Sequence, residues 1–153
     1  MKMDRDFREF VESFLDHDVR FLIIGGYALA AHGAPRYTGD LDAWLWVDRG
    51  NAEKIIAALA DLGFGSLGIA ITDLIDPDLV IQLGYPPRRI DLLTGIDGVD
   101  FNDAWDRRIE IDVDGQKIPF ISRTDLIANK TAAGRPQDLA DVARLEPNPA
   151  PGD

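Results

Sequence analysis

Residues 40–48, DLDAWLWVD, alternate strictly between two kinds of side chain. A strand turns successive side chains to opposite faces. Leu41, Ala43, Leu45 and Val47 therefore share one face, and Asp40, Asp42, Trp44, Trp46 and Asp48 share the other. A slip by one residue would bury the acids and expose the aliphatics, so the pattern pins the register of this strand. Asp40 and Asp42 then point the same way, with Cα atoms roughly 6.5–7 Å apart. Such a pair can share one divalent ion or bridge two ions about 3.5–4 Å apart. The same residues also suit an outward face whose acids only meet solvent. Trp44 and Trp46 on that face argue that it is covered.

A third carboxylate follows from the same rule. In the run 88–93, Ile90 and Leu92 match an apolar face, which leaves Arg89, Asp91 and Leu93 on the face that carries Asp40 and Asp42. Clustered carboxylates repel one another and raise each other's pKa unless a cation offsets their charge. Oxygen donors of this kind suit Mg²⁺, which keeps coordination positions open for water and phosphate oxygens. The apolar run Phe21-Leu22-Ile23-Ile24 reads as a buried strand, and Gly25-Gly26 stops it. Two glycines between a strand and a helix bring backbone N–H groups and a helix N-terminus together, a place for phosphate. Alone this is only a tight turn. Its meaning comes from the acids that follow.

The other elements are legible in outline. Phe7, Phe10, Val11 and Phe14 recur at helical spacing within residues 4–17. The alanine-rich stretch from Tyr27 to Ala31 reads as a short helix ending near Gly33. Asn51 is expected to cap a helix to about Leu62, stopped by Gly63. Strands are expected over 79–83 and 88–93, joined through Tyr85-Pro86-Pro87. Asp114-Gly115 between residues 110–113 and 116–120 signals a hairpin. Ser122 and Asp125 open a helix that stops near Gly134, and Pro136 starts the last one, to about Leu145. The order predicts an α/β (α+β) fold, a mixed β-sheet with helices mainly on one face and two C-terminal helices.

A chain of 153 residues fits one domain with a single core, expected over 1–146, with a frayed tail over 147–153. No apolar run reaches the roughly 18–20 residues that cross a bilayer, and the start lacks a signal-peptide core. A cytoplasmic protein with no membrane contact is expected. The absence of cysteine and the presence of only two histidines exclude disulfides and thiolate sites and disfavour a zinc centre. A net charge of −11 opposes unaided binding to a nucleic-acid backbone.

Taken together, Gly25-Gly26, the helix ending at Gly33, Arg36-Tyr37-Thr38-Gly39 and Asp40-Leu41-Asp42 resemble the nucleotidyltransferase superfamily that includes DNA polymerase β. The resemblance is to its minimal branch, the AbiEii-type and related uncharacterised bacterial enzymes, and it spans about residues 20–145. It implies a Mg²⁺- or Mn²⁺-dependent transferase, of the ATP-binding kind, that moves a nucleotide from an NTP to an acceptor hydroxyl on tRNA, protein or a small molecule. Asp40, Asp42 and Asp91 would hold the metal, with Asp91 as general base. Gly25, Gly26, Arg36 and Thr38 would contact the nucleotide. Lys130 would sit near the phosphates, and Asp138 or Asp141 would be the late acid of the family. AbiEii-like relatives add the expectation of a toxin–antitoxin component with a cognate partner protein. Homodimerisation could supply a missing acceptor wall. Gly26 stands where many active members carry serine. The alternative reading is a catalytically silent module of the same fold that binds a nucleotide or a partner.

Overall fold

The computed structural model describes residues 2–36, 39–85 and 87–146. The chain runs through α1 (Arg5–Asp16), β1 (Phe21–Ile24), α2 (Gly25–Ala31), β2 (Leu41–Leu45), α3 (Arg49–Asp61), a 3₁₀ turn (Gly65–Leu67) and α4 (Ile71–Leu74). It continues through β3 (Val80–Leu83), β4 (Ile90–Leu93), α5 (Phe101–Asp106), β5 (Ile109–Val113), β6 (Gln116–Phe120), α6 (Arg123–Ala133) and α7 (Pro136–Leu145). The expected tail over 147–153 lies outside the described residues.

Among the described residues the strands form a six-stranded mixed sheet in the order β3-β4-β2-β1-β6-β5. β1 pairs antiparallel with β2, placing Phe21 beside Leu45 and Ile23 beside Ala43. These residues share one face, and Phe14 of α1 meets Phe21 edge to face with ring centroids 5.6 Å apart. α1 thus covers the aliphatic face of β2, where Leu41, Ala43 and Leu45 are fully buried. α3 packs beside α1. On the opposite face Trp44 is buried and meets Phe101 of α5 edge to face at 5.0 Å. The face is covered at Trp44, while Trp46 is partly buried and the acids open onto a cleft.

Local signals account for most boundaries. Ser122 accepts a hydrogen bond from the Asp125 N–H at the start of α6. The β5–β6 hairpin turns at Asp114 and Gly115, both at positive φ (53° and 86°), the backbone that a tight two-residue hairpin turn demands. One cap differs from expectation. Asp48, not Asn51, caps α3 by accepting from the Asn51 N–H. The Asn51 side chain instead accepts from Arg20 N–H at 2.8 Å and donates to the carbonyls of Arg20 and Trp46. A buried amide finds more partners by stapling β1 to the end of β2 than it would at one helix end. β2, β3 and β4 are shorter than the runs that mark them, while β1 and β6 match theirs and β5 begins one residue earlier. α4 and α5 were not foreseen; α5 has too few turns to display a helical period.

Candidate active site

Strand pairing decides where the acids stand. β2 and β4 are parallel, and Asp42 lies directly beside Asp91 in their register. On the other side of β2, Ile24 at the end of β1 is the partner of Asp42, so the chain turns into α2 at the acid itself. Gly25 makes that turn at φ +68°, and a Cβ added there would overlap Asp42 Oδ2 and stand 3.1 Å from its Cγ. The glycine is required twice, for a left-handed backbone and for the space its missing side chain leaves. Gly25→Ala is expected to lose about 1–3 kcal/mol of stability and to push the Asp42 carboxylate out of place. Denaturant melts and a nucleotidyl-transfer assay check this; a variant of unchanged stability and activity would remove the claim.

Asp40, Asp42 and Asp91 line one open cleft of about 600 Å³ together with Gly25, Gly26 and Arg36. α6 and α7 bring Lys130 and Asp138 to the same cleft. Thr38 lies outside the described residues. Burial, then Asp91, then Asp40 push the Asp42 carboxyl up to about 6, against the pull of Arg89 and Lys130. As an anion, Asp42 is destabilised where it stands.

The other two acids are engaged by Arg89. Its Nε donates to Asp91 Oδ1 at 2.8 Å, and one terminal nitrogen donates to Asp91 Oδ2 at 3.2 Å and to Asp40 Oδ2 at 3.1 Å. The bond to Asp91 pushes the pKa of the guanidinium further up. Among the described residues no group of three or more His, Cys, Asp or Glu side chains is arranged to hold a metal ion. On sequence Arg89 lies on the acid face and, as one of a pair with Arg88, reads as surface charge or as a contact to an acidic acceptor; its position two residues before Asp91 on an alternating strand was the signal for its grip on that acid.

In donor type, though not as arranged in this structure, three carboxylates are ligands of the kind a hard divalent cation takes. All three donors are carboxylates, and two of them raise the pKa of the third. An added positive charge would stabilise that anion.

Lys130 is held differently from a mobile phosphate-binding arm. It is buried, with Nζ 2.9 Å from Asp141 Oδ2 and 3.6 Å from Asp138 Oδ1. Arg36 Nε stands 3.2 Å from Asp141 Oδ1. Arg135 grips Asp138 through Nε at 2.6 Å and a terminal nitrogen at 3.2 Å, and that bond holds the Asp138 carboxyl below the usual carboxylate range. The five groups form one ionic cluster at the edge of the cleft. It locks α6 to α7 and, through Arg36, to the segment that leads into β2.

Asp78, Asp97, Asn129 and Gln137 also line the cleft and carried no motif that would have marked them. A smaller pocket lined by Trp44, Trp46 and Phe101 shares Gly95 and Ile96 with the main cleft. His32 is buried, and its Nε2 lies 2.8 Å from the Ile121 carbonyl, which ties the end of α2 to the chain beyond β6. The arginine pair 107–108 is structural: Arg107 grips the buried Asp125 at 2.8–3.2 Å, and Arg108 stacks 3.9 Å over Trp105.

A family model described as "Nucleotidyltransferase of unknown function (DUF6036)" matches residues 1–146. Solved structures share the fold at low identity. The lincomycin-bound lincosamide antibiotic adenylyltransferase LnuA superposes with a TM-score of 0.59 at 16% identity, over 94% of this chain and 96% of that one. A Thermotoga maritima protein described as a candidate nucleotidyltransferase gives 0.52 at 15% identity, over 94% and 86%. The antibiotic-resistance factor ANT(2'')-Ia gives 0.53 at 12% identity, over 92% and 78%. A search of curated protein sequences finds no match. No helix among the described residues is long and apolar enough to cross a membrane.

Proposed function

Because the chain belongs to the DUF6036 family of nucleotidyltransferases, we propose that it transfers a nucleotide from an NTP to an acceptor hydroxyl in the cleft that holds Asp40, Asp42 and Asp91. The observation that carries this reading is the register of Asp42 beside Asp91, with the glycine corner packed against the Asp42 carboxylate. Asp40, Asp42 and Asp91 would hold Mg²⁺ or Mn²⁺. When bound, the ion supplies neutralising charge to the phosphate oxygens and to the departing pyrophosphate.

The protein's own groups divide the remaining work. Asp91 takes the proton from the acceptor hydroxyl, whose oxygen attacks the α-phosphorus. The bond from that phosphorus to the bridging oxygen breaks, and pyrophosphate leaves with the electron pair. Gly25 and Gly26 offer backbone at the cleft where no side chain keeps the triphosphate away. Arg36 and the Lys130 cluster place fixed positive charge beside it, already oriented before the reaction begins. Asp138 holds Lys130 and Arg135 in that cluster and acts on the nucleotide only through them.

Among acceptors, a small hydroxyl-bearing molecule fits best. The net charge of −11 repels a nucleic-acid backbone, and six of the side chains lining the cleft are aspartates. LnuA and ANT(2'')-Ia are described as an antibiotic adenylyltransferase and an antibiotic-resistance factor. A toxin-like role with a cognate partner protein would use the same chemistry on another acceptor, and growth arrest on expression is its test.

The direct experiment supplies each α-labelled NTP with Mg²⁺ or Mn²⁺ and acceptors of three classes: small polyhydroxylated molecules, tRNA and protein. Label on a small molecule together with pyrophosphate release is the expected result, lost in Asp91→Asn. Labelled tRNA or protein would replace the acceptor and keep the chemistry. No transfer to any class with either ion sinks the catalytic reading and leaves the silent binding module.

A further inference from the structure

Arg89 donates three hydrogen bonds to two acids of the cleft, and catalysis as proposed gives it no task. Its guanidinium holds both oxygens of Asp91 and one oxygen of Asp40. Resting on the reading of the cleft as a divalent-ion site, we propose that Arg89 is a tethered counter-cation that competes with the ion for Asp40 and Asp91. The ion enters by displacing the guanidinium.

The geometry sets up an exchange of one cation for another. A two-pronged grip takes a lone pair on each oxygen of Asp91 and aims both at the guanidinium plane. The same nitrogen that closes the grip also takes Asp40 Oδ2, so Asp40 and Asp91 are drawn toward one side chain. A divalent ion placed among these carboxylates would stand a few ångströms from a fixed positive charge, in a partly buried site where that repulsion is weakly screened. The backbone of Arg89 does not move in the exchange, since the Leu41 N–H donates to the Arg89 carbonyl at 2.9 Å and anchors it to β2. The side chain is a quarter exposed and can swing outward. Until the ion arrives, Arg89 keeps neighbouring carboxylates from repelling one another.

The test follows Arg89 directly in the 153-residue chain. The Nε–Hε resonance of Arg89, assigned in the wild type by through-bond correlation to its own backbone, is monitored while Mg²⁺ alone is added. Calorimetry with Mn²⁺ compares the wild type and Arg89→Met. The expected result is a resonance that shifts and loses its protection from exchange as Mg²⁺ saturates. Arg89→Met should bind Mn²⁺ about tenfold more tightly or better, because the competing charge is gone. A resonance that stays in place at saturating Mg²⁺ overturns the proposal in the wild type alone, whether or not the variant folds. Weaker or equal binding in Arg89→Met also overturns it, and weaker binding would make Arg89 a residue that positions the ligands. Absence of ion binding in both proteins defeats this proposal together with the metal reading. Equal binding with an unmoved resonance defeats this proposal only.

Discussion

An Asp42→Asn variant is expected to be more stable than the wild type above about pH 6, and far less active. The folded protein raises the Asp42 carboxyl from 3.8 to about 6, first through burial and then through Asp91 and Asp40. An acid with a raised pKa binds its proton more tightly in the folded state, so between pH 3.8 and about 6 the folded chain carries more protons than the unfolded one. Stability therefore falls as pH rises through that window. The cost is absent below it and complete above it. A rise of this size corresponds to about 3 kcal/mol at neutral pH. Asparagine keeps the shape and removes the charge, so most of that cost should disappear. Transfer activity should fall on the order of a thousandfold, because a central oxygen donor of the site is gone.

Added Mg²⁺ separates the two roles of this one carboxylate. The ion should stabilise the wild type by mass action and have little effect on Asp42→Asn. Thermal melts at pH 5 and pH 8, with and without Mg²⁺, give the whole comparison. A variant less stable than wild type at pH 8 without metal would contradict the argument, as would a variant that Mg²⁺ stabilises equally.

Replacing Lys130 with methionine is expected to cost about 3 kcal/mol or more, a large share of the roughly 5–15 kcal/mol that holds a domain of this size together. Lys130, Asp138 and Asp141 are all buried, and Lys130 stands between the two acids. Methionine fills the volume but leaves two buried carboxylates with less compensation. Removing one partner of a buried pair is far more costly than removing both. Arg36 and Arg135 remain on Asp141 and Asp138, which keeps the loss below that of an isolated buried charge. Adding Asp141→Asn to Lys130→Met should recover part of the loss. Urea unfolding of the single and double variants measures the coupling. A single-variant loss below about 0.5 kcal/mol is what an exposed helix lysine would give, and it would show that the cluster contributes little.

The sequence by itself determined which face the residues of β2 and β4 occupy. Period-two alternation placed Asp40 and Asp42 with Trp44, and Asp91 with Arg89, because a pleated backbone leaves no other choice. It also marked the Asp114-Gly115 turn, the Ser122 cap and the glycine corner at Gly25, where local backbone chemistry speaks through a few neighbouring residues. Tertiary structure alone decided that β4 would pair with β2 and bring Asp91 level with Asp42. It also set the burial of Lys130 between two aspartates from α7 and the direction of the Arg89 guanidinium. These features join segments far apart in the chain. Their energies come from desolvation and from charges meeting across elements, and no local periodicity encodes which elements meet.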